Sequence, residues 1–121
     1  MPRPLKSKSG DAKWTQELDA QQVHAALEDA IVDAYDEYEQ HTGLLTMIEN
    51  EVQFPFRAKV LWELVNVIRM EWPEDDEFGL DFVCERNGEE HRIEARSVDL
   101  IPPLPDGHLY IAAYLDWKRK L

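Results

Sequence analysis

The sequence predicts an α+β fold: a long N-terminal acidic helix, a small SH3-like antiparallel sheet or barrel, and a short C-terminal helix. Three features carry this. Apolar residues recur three and four apart through the first part of the chain; after Phe56 they give way to short runs rich in Val, Ile and Phe; and the final stretch returns to helical spacing.

The first helix is expected where Val23, Leu27, Ala30, Ile31, Ala34, Tyr38 and Leu45 line one side and neither Pro nor Gly intervenes before Gly43. Gly43 is tolerated inside a helix at about 1 kcal/mol or can end one, so Leu44 to Asn50 is either a continuation or a second short helix. Pro55 closes the region, and because the residue before Pro is pushed toward extended geometry, the chain should leave as strand. Candidate strands are Arg57–Leu61, Leu64–Met70, Leu80–Arg86 and Glu89–Glu94. Asn87-Gly88 between the last two is a strong hairpin signal, since both positions tolerate the positive φ of a type I′ turn. Ser97 to Leu100 and Pro102-Pro103 follow. Asp106 to Lys120 reads as the last helix, with Asp106 as N-cap and Lys118, Arg119 and Lys120 at the negative end of its dipole.

One domain is expected over residues 15–121, because 121 residues with 44% hydrophobic content suffice for a single core. Residues 1–14, with Arg3, Lys6, Lys8 and Lys13 among Pro, Ser and Gly, read as a disordered basic tail. A lone cysteine, Cys84, in an apolar strand excludes an internal disulfide and reads as a buried, inert thiol. No stretch approaches the ~20 apolar residues of a membrane span and no secretory signal is present, so the expectation is cytoplasmic.

Charge is the most informative feature. Against 13 Lys and Arg stand 25 Asp and Glu, a net charge of -12, which opposes binding to nucleic acid and to anionic membrane surfaces. Between Trp14 and Phe56 ten acids occur with no Lys or Arg, and Met70 to Glu85 holds seven more with none. On a continuous helix Asp29, Asp33, Asp36, Glu37 and Gln40 would project together, and the mutual repulsion of the acids is a motive for binding a cation. The alternative is a solvated face that keeps the chain soluble. Oxygen donors without clustered His or Cys suit calcium or magnesium, and an irregular acidic surface suits calcium, which accepts mixed carboxylate, carbonyl and water ligands. One helix face supplies only two or three such oxygens. A second segment is therefore needed, with Glu74, Asp75, Asp76 and Glu77 first and Glu71, Asp81 and Glu85 in reserve.

An EF-hand is excluded. Counting from Asp33, position six is Tyr38; counting from Asp75, position six is Leu80 and position twelve is Arg86. His24, His41, His91 and His108 have no metal-ligand spacing and read as surface or hydrogen-bonded structural residues; Tyr35, Tyr38, Tyr110 and Tyr114 read as core or boundary. No phosphate-binding glycine loop or nucleophile motif occurs, and nothing marks an enzyme.

The segment Ile31-Val32-Asp33-Ala34-Tyr35-Asp36-Glu37-Tyr38-Glu39-Gln40, then Gly43, Glu49 and Phe54-Pro55-Phe56 with Ala58, resembles the CcbP-type calcium-binding proteins, small acidic bacterial proteins. A looser similarity runs on through the Asp-Asp loop, Cys84-x-Arg86-x-Gly88, Val98-Asp99-Leu100 and a final helix with Tyr114 and Trp117. The resemblance implies calcium binding by clustered surface carboxylates without an EF-hand, in a protein that buffers or senses calcium, with Asp33, Asp36, Glu37, Glu39, Asp75 and Asp76 as the matching acids. The chain departs from that pattern at Leu61-Trp62-Glu63-Leu64, where a Gly-containing turn is expected, and at Pro73. A different class of function, an acidic module that docks a basic protein, predicts salt-sensitive partner binding and indifference to calcium.

Overall fold

The computed structural model describes residues 13–74 and 78–121. Residues 1–12 of the expected tail, and Asp75, Asp76 and Glu77 of the expected loop, lie outside the described residues.

Where one long helix was expected there are two, α1 (Ala20–Ala30) and α2 (Glu37–Glu51). The break follows from competing caps. Asp36 takes an extended conformation and its Oδ1 accepts from Glu39 N at 2.9 Å, while Glu39 Oε1 reaches back to accept from Tyr35 N at 2.6 Å. That reciprocal Asp-x-x-Glu arrangement starts a helix at 37, and the first-turn acids Glu37 and Glu39 favour its positive end. Asp19 caps α1 in the same way, accepting from Gln21 N at 2.8 Å. Gly43 neither ends α2 nor sits idle: a Cβ there would lie 2.3 Å from the carbonyl oxygen of Ala30, so glycine allows α2 to pass close to the end of α1.

The strands are β1 (Phe56–Val60), β2 (Glu63–Glu71), β3 (Asp81–Arg86), β4 (Glu89–Glu94) and β5 (Asp99–Leu100). All neighbours are antiparallel, in the order β4-β3-β2-β1-β5, with a bulge in β2 between Val67 and Arg69. The four-strand meander is the one the alternation predicts. The closed SH3-like barrel is not formed: among the described residues β4 and β5 are the two free edges, and β5, only two residues long, does not bridge to β4. The last helix, α3 (His108–Arg119), also begins differently, because Gly107 at φ 84° occupies the cap position and Asp106 instead offers its carbonyl to Gln53 N at 3.0 Å.

One core joins these elements. The inward residues Phe56, Ala58, Val65, Val67, Phe82 and Cys84 of the sheet meet Leu44, Leu45 and Ile48 of α2 and Ile111, Ala113, Tyr114 and Trp117 of α3. Trp14, at the tail's expected edge, belongs to the same core, and its backbone N–H donates to Asp99 Oδ1 at 3.1 Å. Cys84 is buried as expected, and burial pushes its thiol up to about 11. No helix among the described residues is long and apolar enough to cross a membrane.

Candidate functional site

The helix break redistributes the acidic residues. Asp29 remains on α1, where it accepts a hydrogen bond from Tyr110 Oη at 2.7 Å; that bond, with burial and the charges of Asp29 and Glu51, pushes the phenol up to about 12. Asp33 falls in the link between α1 and α2, and Asp36, Glu37 and Glu39 begin α2. The single face expected to hold Asp29, Asp33, Asp36, Glu37 and Gln40 together therefore does not exist. Asp36 and Glu39 each commit one carboxylate oxygen to capping, so two of the four helix acids have a structural reason to be present without any ion. Asp33 and Glu37 carry no such commitment and are exposed.

Exposed with them are Val32 and Tyr35, the latter 93% accessible. Tyr35 is thus neither core nor boundary. Tyr38, 59% exposed, keeps one ring contact, to Phe78 at 5.2 Å between centroids, and only Tyr114 of the four tyrosines is buried.

His41 holds the flanks of the β2–β3 connection, Trp72 and Gly79, against α2. Buried to 6% exposure, it is the one buried polar side chain among the described residues, and its Nε2 donates to the carbonyl of Gly79 at 2.7 Å. Its ring stacks on Trp117 at 5.9 Å and meets Trp72, Phe78 and Tyr114 at larger angles. Tyr114 Oη donates to the carbonyl of Phe78 at 2.9 Å, and Trp117 Nε1 donates to Gln40 Oε1 at 2.8 Å. The described flanks of that connection, Trp72 on one side and Phe78-Gly79 on the other, are thus fixed against the first turns of α2 through one histidine. The signal for its burial was present: 41, 44, 45 and 48 are a helical stripe, with His41 completing Leu44, Leu45 and Ile48.

The reserve acids are already engaged. Asp81 Oδ2 lies 2.9 Å from Arg92 Nε, and Glu71 pairs with Arg69 Nε at 3.0 Å and Arg92 Nη1 at 3.5 Å. Arg92 also donates to the carbonyl of Trp72 at 2.8 Å, and its guanidinium is held protonated more firmly by the hydrogen bond to Asp81. Glu85 accepts from Gly88 N at 2.8 Å and Asn66 Nδ2 at 3.2 Å, which holds its carboxyl below the usual range. Among the described residues, no three acidic, histidine or cysteine side chains converge on a common point. The donors fit a hard cation in kind, being exposed carboxylates, but the described residues alone do not form a closed cage.

A family model described as calcium binding, Calci_bind_CcbP, matches residues 25–77, from the second half of α1 to the acidic connection after β2. The structure of Anabaena CcbP superposes with a TM-score of 0.65 at 22% identity, covering 85% of this chain and 93% of that one. A calcium-binding protein in its calcium-binding form superposes with a TM-score of 0.63 at 21% identity, covering 90% and 96%. No curated protein matches. At these identities the structural likeness is one of fold.

Proposed function

We propose, from the match of residues 25–77 to a CcbP family model and from the likeness of the fold to CcbP structures, that the chain binds calcium ions through exposed carboxylates without an EF-hand. The observation that carries this reading is the span of the family match, residues 25–77, which takes in both the α1–α2 link and the acidic stretch whose flanking Trp72 and Gly79 pack on His41 of α2. Asp33 and Glu37 are the ligands we assign first, because their oxygens are not spent on capping; the second oxygens of Asp36 and Glu39 come next. Asp75 and Asp76 complete the set on the strength of the sequence.

Exposed carboxylates on separate elements leave much of the coordination sphere to water. Affinity should be micromolar to millimolar, roughly the range of regulatory and extracellular sites rather than of tight buffers. A site of that kind, on a core that is already packed, suits buffering or sensing of cytoplasmic calcium by a protein that performs no catalysis. One observation favours a second reading: Val32 at 74% and Tyr35 at 93% exposure among uncompensated acids are what a basic amphipathic partner would engage.

Calorimetric titration at ~0.15 M salt, with magnesium alongside, separates the two. Saturable calcium heat that survives excess magnesium and weakens in an Asp33→Asn, Glu37→Gln variant is expected. Heat that disappears with added salt, or is equal for the two ions, overturns calcium binding at this place and leaves the acidic docking surface.

A further inference from the structure

At the opposite end of α1 from the acidic link, the surface folds into a groove of about 770 Å³, within the size range of small-molecule sites. It runs between the first turn of α1 and the last turns of α3, and residues of two 3-10 turns, Lys13–Glu17 and Ala95–Ser97, complete its lining. Leu18, Val23 and Leu115, each partly buried against the core, give it an apolar floor.

The side chains lining this groove reverse the charge balance of the chain. Four are cations, Arg96 after β4 and Lys118, Arg119 and Lys120 at the end of α3, and two are acids, Glu94 and Asp116. The two acids do not neutralise the four cations. Glu94 takes a single donor of the Arg96 guanidinium, Nε at 3.2 Å, and Asp116 is shared between Arg119 and Lys120. Of the acids near the rim, Asp19 accepts from Gln21 N, Glu28 lies 3.0 Å from His24 Nε2, and Glu17 is exposed outside the lining. The acidic link between α1 and α2 is the length of α1 away, eleven residues or about 16 Å, twice the ~8 Å Debye length at physiological salt. The dipole of α3 accounts for the cations on its last turn; it does not account for Arg96, which enters the same groove from another element.

We propose that this groove binds a soluble phosphate monoester that carries an apolar body. Two cations in surplus among the lining side chains match a phosphate monoester, whose charge near neutral pH is about -1.5 to -2. Arg96 and Arg119 each give only one of five N–H donors' nitrogens to a carboxylate, and the remaining fork of a guanidinium fits phosphate oxygens. Leu18, Val23 and Leu115 receive the apolar body, which inorganic phosphate lacks. A polyanion such as nucleic acid would carry its further phosphates onto a chain of net charge -12, whereas one monoester meets the groove alone. A concave site also suits a free molecule better than a headgroup held in a flat bilayer.

Calorimetric titration with 1-naphthyl phosphate at ~0.15 M salt tests this, with a calcium chelator present so that it stands apart from calcium binding. The ester should bind saturably, and inorganic phosphate and 1-naphthol should each bind at least about tenfold more weakly. An Arg96→Gln, Lys118→Gln variant, its fold checked by circular dichroism, should lose at least about tenfold in affinity for the ester, since hydrogen bonds to a charged group are lost. Arg57→Gln, which removes a charge from exposed β1 outside the groove, should leave affinity unchanged. Absence of saturable heat at millimolar ester overturns the site, as does equal weakening by Arg57→Gln. Affinity for 1-naphthol or for inorganic phosphate equal to that for the ester overturns it too, because the cations or the apolar floor would then take no part. Sedimentation with phosphatidic acid vesicles, in place of binding to the soluble ester, would assign the groove to a lipid headgroup and overturn the soluble ligand.

Discussion

Replacing His41 by phenylalanine isolates one hydrogen bond. The ring volume and much of its stacking with Trp117, Phe78 and Trp72 survive, while the N–H that satisfies the buried Gly79 carbonyl is lost. Leaving such a group without its donor costs about 1–3 kcal/mol. For 121 residues the unfolding entropy is about 0.25 kcal/mol/K, so the melting temperature should fall by about 4–12 °C. Thermal unfolding by circular dichroism and urea titration both read this, and a Gln at the same position, which keeps a donor, should recover part of the loss. Calcium affinity should drop further than the loss of stability requires, because Gly79 and Trp72 flank the acidic connection. A His41→Phe protein as stable as wild type would refute the assignment of this bond as the anchor between α2 and the sheet.

Capping and ligation are separable at the helix start: Asp36→Ala should cost about 1 kcal/mol of stability in a chelator, as the loss of an N-cap does, whereas Asp33→Asn should cost almost nothing without calcium and should reduce the rise in melting temperature that calcium produces by mass action. Tyr110, pushed up to about 12 by its bond to Asp29, stabilises the fold in full below its ordinary pKa of 10, and that contribution is lost as pH climbs from 10 toward 12. Spectrophotometric titration should show the Tyr110 phenol ionising late, and Asp29→Asn should move it back toward its ordinary value. Cys84, also pushed upward, from 9.0 to about 11, should resist a colorimetric thiol reagent in the native state and react only at the rate of unfolding; its contribution fades as pH rises through that same interval.

Local chemistry was legible wherever one stretch of chain decides the outcome. Alternating Val, Ile and Phe with Asn87-Gly88 specified β3, β4 and their turn, because period and φ tolerance are properties of neighbouring residues. The Asp36-x-x-Glu39 signature that splits the first helix was legible too, but continuous apolar spacing concealed it: a cap and a helical stripe compete, and the cap won where Gly43 lets α2 close on Ala30. Closure of the sheet was not legible, since it depends on the reach of a two-residue β5.

The amino-acid sequence by itself determined the acidic character and the likeness to CcbP-type proteins, which are sums or short strings. Tertiary structure alone decided which acids are spent on caps and on Arg69 and Arg92, and it alone buried His41 between α2 and Gly79. It also set Leu61 and Trp62 in solvent on left-handed backbone. The physical reason is common to these cases. A carboxylate's availability, a histidine's burial and a turn's strain are fixed by partners many positions away, and a linear string names the groups without saying which of them meet.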